Sequence, residues 1–414
     1  MPAIQPRDYL FALTDGGGTV PPELGVVRRL VDRGHRVTVL GERSMARQID
    51  EAGARALFFS QQTGEIRDWE AHSPMAQARG MADTMLAGPI DAAAADTAEA
   101  IDETSPQLVV TSSFAIGAMI AAESRGLPYD VLVPNAFPFP ARGMPPFGAG
   151  LSPMGGPLGR LRDRAIGAGA TRLIDRYALP RINTGRRNYG LAPVAHTWDQ
   201  ALGASRLLVL TSRAFDFPAQ LPANARYVGP VLDDPGWAVE EGWAPPAGTG
   251  ELVLVALSST FQNQAECLQR ISDALGSIPV RGLVTTGPAV PAGAIAAPPN
   301  VTVVATAPHR EAMRHARVVV THGGHGTVMK ALAAGVPVLV MHHGRDQADN
   351  AVRVTARGAG IAISRRASPR EIARAVTATL ADDDMRRAAS EFGRVIARHA
   401  GGSALVDELE RPLA

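Results

Sequence analysis

Six of the chain's ten histidines crowd into residues 309–343, at His309, His315, His322, His325, His342 and His343. Around them, residues 318–360 read VVVTHGGHGTVMKALAAGVPVLVMHHGRDQADNAVRVTARGAG. A β-branched run ends at Thr321, and His-Gly-Gly-His-Gly-Thr at 322–327 turns it into a helix that Gly335 terminates. Glycines such as Gly324 and Gly326 let a ligand come close to the backbone. The free N–H groups and dipole of a helix start, with Thr327 beside them, then favour phosphate oxygens without a metal. His322, at the strand end, is placed to offer a ring N–H to the same anion. A second strand then leads to Asp346 and Gln347 at the start of another helix, where their side chains can exchange hydrogen bonds with sugar hydroxyls. The spacing is neither the G-x-G-x-x-G dinucleotide fingerprint nor the Gly-Lys-Ser/Thr of a P-loop. Zinc is not expected, because His322 and His325 flank a glycine turn rather than sharing a helix face, and no cysteine accompanies them. Lys330, the only lysine among 41 basic residues, falls inside this stretch. It reads either as a solvated helix residue or as a cationic contact to a nucleotide.

The elements that position these residues alternate between strand and helix. Residues 9–14 (YLFALT) form an apolar strand followed by Asp15-Gly-Gly-Gly, and Pro21 and Pro22 suit the first turn of a helix. Leu24, Val27 and Val31 give that helix an apolar face, Gly34 ends it, and 36–40 is the next strand. Strands recur at 108–110, 131–133 and 207–210, then at 252–257, 280–285, 301–304, 318–321 and 336–341. Such alternation predicts parallel sheets with helices on both faces. Two halves of this kind give an α/β protein of two Rossmann-like domains facing each other across a cleft, with ligands beyond the carboxyl ends of the strands. The expected division is 1–225, a linker at 226–250 rich in turn residues, a second domain at 251–383, and a helical tail at 384–414 that can cross back to the first. The Pro- and Gly-rich stretch 135–159 reads as an ordered loop at the cleft. Its Phe137 and Phe139, together with Phe58, Phe59 and Trp69, are expected to form an apolar wall for a hydrophobic acceptor.

Composition narrows the class. Of 414 residues, 46% are hydrophobic and 20% charged, enough for sizeable cores, and the formal charge of +1 supplies no field to draw in nucleic acid. One cysteine, Cys267, excludes a disulfide framework. With no basic n-region ahead of a long apolar run, neither a signal peptide nor membrane insertion is expected, and a cytoplasmic protein is. Oligomeric state is left open.

The whole arrangement resembles the GT-B glycosyltransferases of family 1, which include plant secondary-metabolite and bacterial antibiotic enzymes. Leu257-Ser-Ser259 is similar to the loop after the first strand of their C-terminal domain. Ala307-Pro308-His309 is similar to the segment that brackets the nucleotide base. His322, Gly324 and Thr327 match the diphosphate motif, and Asp346-Gln347 the pair that holds the donor sugar. The resemblance implies an inverting, metal-independent transferase with no cofactor, moving a sugar from a UDP- or dTDP-sugar to a small hydrophobic natural product. Three departures stand out. Thr19, in Gly18-Thr-Val-Pro-Pro22, lies where the family usually has a catalytic histidine. The aspartate that orients it would fall near Thr111 or Ser112. Lys330 replaces an expected ribose-binding glutamate. With both members of the dyad changed, Asp15 is the expected base and Thr19 at most orients substrate. Two rival readings are a non-catalytic nucleotide-sugar-binding protein of the same fold and a sugar-nucleotide epimerase.

Overall fold

A computed structural model of the chain describes residues 5–64, 67–71, 73–86, 88–238 and 242–412. Seven strands build the first sheet: β1 (Asp8–Ala12), β2 (Arg36–Gly41), β3 (Arg55–Phe58), β4 (Leu108–Ser112), β5 (Tyr129–Val133), β6 (Arg206–Val209) and β7 (Ala225–Tyr227). Their order is β3-β2-β1-β4-β5-β6-β7, with every pairing parallel. Six more build the second: β8 (Glu251–Ala256), β9 (Val280–Thr285), β10 (Val301–Val304), β11 (Ala316–Thr321), β12 (Val338–Val340) and β13 (Gly360–Ala362). They run β10-β9-β8-β11-β12-β13, again all parallel.

The two-residue period of a strand explains why both sheets are covered on both faces. Along β1, Leu10 and Ala12 enter one apolar cluster while Tyr9 and Phe11 enter the other. Along β8, Val253 and Val255 face one cluster, and Leu252 and Leu254 the opposite one. In each sheet the chain reverses its direction of winding between two adjacent strands, β1 and β4 in the first and β8 and β11 in the second. Crevices open beyond the carboxyl ends of such strand pairs.

Three features add detail to the sequence-based expectations. β7 pairs with β6, so the first sheet runs through Tyr227 and the linker starts later than 226; residues 239–241 of the linker lie outside the described residues. The tail is two helices with different hosts. Asp383–Ala400 packs on the second domain, where a Cβ at Gly393 would meet the backbone of Leu332 and Gly335. Ala404–Glu410 returns to the first, burying Leu405, Val406 and Leu409 beside Tyr9, Leu24 and Val27. Finally, the helix Gly156–Asn188 follows the cleft loop. Its glycines and Pro180 lower intrinsic helix propensity, so local pattern alone does not announce it.

Candidate active site

Between the domains lies a cleft of about 1870 Å³, lined by loops from the carboxyl ends of both sheets. On the second-domain side, β11 delivers Thr321 to the rim, and the chain turns through His322 and Gly323 before the helix His325–Ala333 starts. Gly323 has φ +94°, and a Cβ there would sit 2.8 Å from Val340 Cγ1 and 3.0 Å from the Gln347 carbonyl oxygen. Only glycine makes this turn. Gly324 is the N-cap, and a Cβ on it would come within 2.5 Å of His322 Nε2. Beside Gly326 there is open space. No side chain caps this helix start, so its N–H groups and Thr327 are available to an anion in the cleft. Burial lowers the pKa of His322 to about 3, so the ring is neutral rather than a cation, against a hydrogen bond to the Ala256 backbone that works the other way.

Other predicted donor-side residues gather on the same wall. Ser259 follows β8, and His309 opens the helix His309–His315 with Nε2 3.0 Å from Thr285 Oγ1. Asp346 is the N-cap of the helix Gln347–Ala356, and its Oδ2 accepts a 2.8 Å hydrogen bond from Asn350. Burial raises its pKa. Gln347 reaches the cleft wall with its amide already engaged. Its Oε1 accepts from the N–H groups of His343 (2.7 Å) and Gly344 (3.1 Å), and its Nε2 donates to Gln262 (3.0 Å). It therefore braces the loop after β12. Lys330 is not a solvated helix residue: its Nζ lies 2.6 Å from Asp234 Oδ1 in the linker, and both side chains are nearly buried. His325 turns to the first domain, with Nε2 2.8 Å from Thr211 Oγ1. Among the described residues, no three His, Cys, Asp or Glu side chains form a group that could hold a metal ion.

On the first-domain side, the turn after β1 abuts the loop after β8. Gly17, at φ +68°, faces Thr260 so closely that a Cβ would overlap its methyl group. Asp15 caps this turn. Its Oδ1 accepts from the Gly17 N–H at 2.9 Å and its Oδ2 from Ser44 Oγ at 2.6 Å. Thr19 is the N-cap of the helix Val20–Asp32 and lines the cleft, but its side chain makes no capping bond.

The expected aromatic wall is only partly there. Phe139 lines the cleft and packs edge-on to Trp198. Phe137 does not: it is fully buried in the core, with its N–H donated to Asp216 at 2.8 Å. Trp69 is not on the cleft wall either, because it packs edge-on against Phe261 of the second domain at 5.0 Å. Phe59 is core and Phe58 lies under the Arg43 guanidinium. The wall is instead completed by Met81, Phe114, Met144, Phe147 and the helix Gly156–Asn188 through Leu161 and Ile174. No motif marks those positions; the only hint was the aromatic content of the loop.

The two sides are tied together. The Asp349 carboxylate accepts from the N–H groups of Gly148 and Gly150 (2.9 Å for Gly150), so the helix carrying Asp346 and Gln347 also anchors the acceptor loop. Arg353, one turn on, lies 2.7 Å from Asp216, which also holds the Phe137 N–H and the Tyr227 hydroxyl.

Two Rossmann-like domains, with a glycine-opened helix start at one switch point and an apolar loop at the other, have the architecture of the GT-B fold. Among the described residues no helix is long and apolar enough to cross a membrane. The chain is 29% identical to 4'-demethylrebeccamycin synthase of Lentzea aerocolonigenes, over 97% of each protein. It is 29% identical to oleandomycin glycosyltransferase of Streptomyces antibioticus, over 96% of this chain and 88% of that one. The solved structure of CalG4, the calicheamicin glycosyltransferase, superimposes with a TM-score of 0.72 at 25% identity, covering 98% of each chain. Residues 277–409 match the family described as erythromycin biosynthesis protein CIII-like, C-terminal domain. The chain is a glycosyltransferase, similar along nearly its whole length to glycosyltransferases of antibiotic biosynthesis.

Proposed function

We propose that this enzyme is an inverting, metal-independent transferase that moves a sugar from a UDP- or dTDP-sugar to a small, largely apolar acceptor. One observation carries the donor half of the reading. The uncapped helix start at Gly324–Thr327, with the neutral His322 ring beside it, offers several N–H donors to one point of the cleft. Such preorganised donors stabilise the charge that develops on a departing diphosphate, the work a cation does at other sites. Ser259, His309, Lys330 and Asp346 line the same cleft, and this reading gives Ser259 and His309 to the nucleoside and Asp346 to the sugar. The acceptor half rests on the apolar lining from Phe139 to Ile174, and on relatives named for rebeccamycin and oleandomycin. The proposal needs no resident cofactor and takes the enzyme to be cytoplasmic.

Calorimetry with UDP, dTDP and GDP in the presence of EDTA tests the donor half. One nucleotide is expected to bind with metal removed. A requirement for added metal, or no binding at all, sinks it. The acceptor half is tested by incubating UDP-glucose and dTDP-glucose with a macrolide and with an aromatic aglycone, reading glycosides by mass. Turnover confined to polar acceptors would refute it.

A further inference from the structure

The changed dyad leaves open where the acceptor's proton goes, and the sequence-based answer, Asp15, has both carboxylate oxygens occupied by Gly17 and Ser44. A second carboxyl group lies at the same switch point. Glu23 stands four residues after Thr19 on the helix Val20–Asp32, one turn further in and on the same face. It is 1% exposed, and its Oε2 accepts a 2.8 Å hydrogen bond from Ser112 Oγ, at the end of β4. Its Oε1 is buried without a hydrogen-bond partner. A buried carboxyl oxygen with no partner is costly to keep, and a merely structural group at this place would be paired or apolar.

That carboxyl group borders a cavity of about 30 Å³, which Thr19, Ser112 and Ser113 also line. Thr19, Ser113, Phe114 and Pro134 line both this cavity and the main cleft, so the two adjoin. The space suits about one water molecule. We propose that Glu23 is the proton acceptor of the transfer, reached from the acceptor hydroxyl through this cavity beside Thr19.

The inference rests on the transferase reading above. In the step, a lone pair of the acceptor oxygen forms the bond to the anomeric carbon. The bond from that carbon to the diphosphate oxygen breaks, and its electron pair leaves with the diphosphate. The hydroxyl proton passes to the Glu23 carboxylate, directly or over one water in the cavity, and returns to solvent after product leaves. Ser112 holds Oε2, which leaves Oε1 to receive the proton.

The electrostatics suit this role. Burial pushes the Glu23 pKa up to about 8, against the Ser112 hydrogen bond, and the charge of Asp15 across the glycine turn adds to the rise. Glu42, which accepts from the Asp15 N–H and from Thr63, is itself raised by burial. Thr14, Thr19, Thr63, Met85, Ser113 and Phe114 around the cavity are uncharged. A base whose pKa lies near the working pH is both deprotonated often enough and basic enough to matter. The carboxyl is protonated below about pH 8, so kcat should rise as pH rises through that value.

Glu23→Gln keeps the size of the side chain and an acceptor for Ser112, but cannot take a proton. With the nucleotide sugar and aglycone that wild type turns over, this variant is expected to lose ~10²-fold in kcat with KM nearly unchanged. The rise in its pH profile near 8 should disappear, and Glu23→Asp should recover part of the rate. Thermal unfolding of each variant separates loss of rate from loss of fold. A Glu23→Gln enzyme within about twofold of wild type, or one slowed equally at every pH with the rise retained, overturns the proposal. Disappearance of the rise in Asp15→Asn, and not in Glu23→Gln, overturns it as well. Failure of the transferase reading looks different: wild type itself then binds neither UDP nor dTDP by calorimetry.

Discussion

The two switch points of this molecule are built alike and equipped differently. Beyond β8 and β11, the groups that face the cleft come from short contiguous stretches: a glycine turn, a histidine and the first residues of a helix. Beyond β1 and β4, the comparable place holds a buried carboxyl group from the first turn of one helix, a serine from the neighbouring strand end and an apolar wall from a distant loop. The glycine turn of the donor side is therefore specified largely by residues close together in the chain. The acceptor side exists only when segments far apart in sequence have docked. On the proposed reading the two sides also divide the chemistry, with charge stabilisation of the leaving group on one and proton removal from the nucleophile on the other.

The comparison can be broken or sharpened by substitution. The largest effect is expected where the sides are joined. Arg353→Ala leaves Asp216 buried without its partner and should cost about 3–5 kcal/mol in unfolding free energy, measured by denaturant titration. A loss below about 1 kcal/mol would mean that the domains dock without this pair. Phe137→Ala should destabilise the fold by a similar ~3–5 kcal/mol, because the ring is fully buried. Phe139→Ala should destabilise the fold as well, since that ring is 3% exposed, but it should also raise the KM for acceptor because the ring borders the cleft. Similar kinetic effects from both would return Phe137 to the cleft wall.

On the donor side, His322→Ala removes a hydrogen bond to a charged ligand and should weaken nucleotide binding by ~10-fold or more in calorimetry. Glu23→Gln should leave that affinity unchanged, and the contrast between sides fails if both variants weaken it equally. The smallest change is expected for Asp15→Asn. Its Oδ1 can still accept from Gly17, so turnover should stay within about threefold of wild type in a steady-state assay, far from the ~10²-fold loss of a missing base.

What was legible in the sequence follows the same division. The strands, the two α/β halves and the glycine turn at 322–327 depend on hydrophobic period and on residues close together in the chain, and they appear where the pattern places them. The helix Gly156–Asn188 did not announce itself, because its glycines and Pro180 resemble loop chemistry locally. Phe137 and Phe139 are two residues apart and both apolar, yet only one faces the cleft, since the path of the loop decides which side each ring takes. Lys330 was equally compatible with solvent, with a nucleotide or with the Asp234 partner that the linker brings to it.

Sequence alone determined the class of fold and the glycine turn at 322–327, because backbone geometry at glycines and helix starts is set by neighbours along the chain. Tertiary structure alone decided which carboxyl group is left with an unpaired oxygen beside the cleft. Glu23 meets Ser112 only after β4 has paired with β1 and the helix Val20–Asp32 has packed against the sheet. The shift that makes it a base arises from burial, which no local pattern encodes.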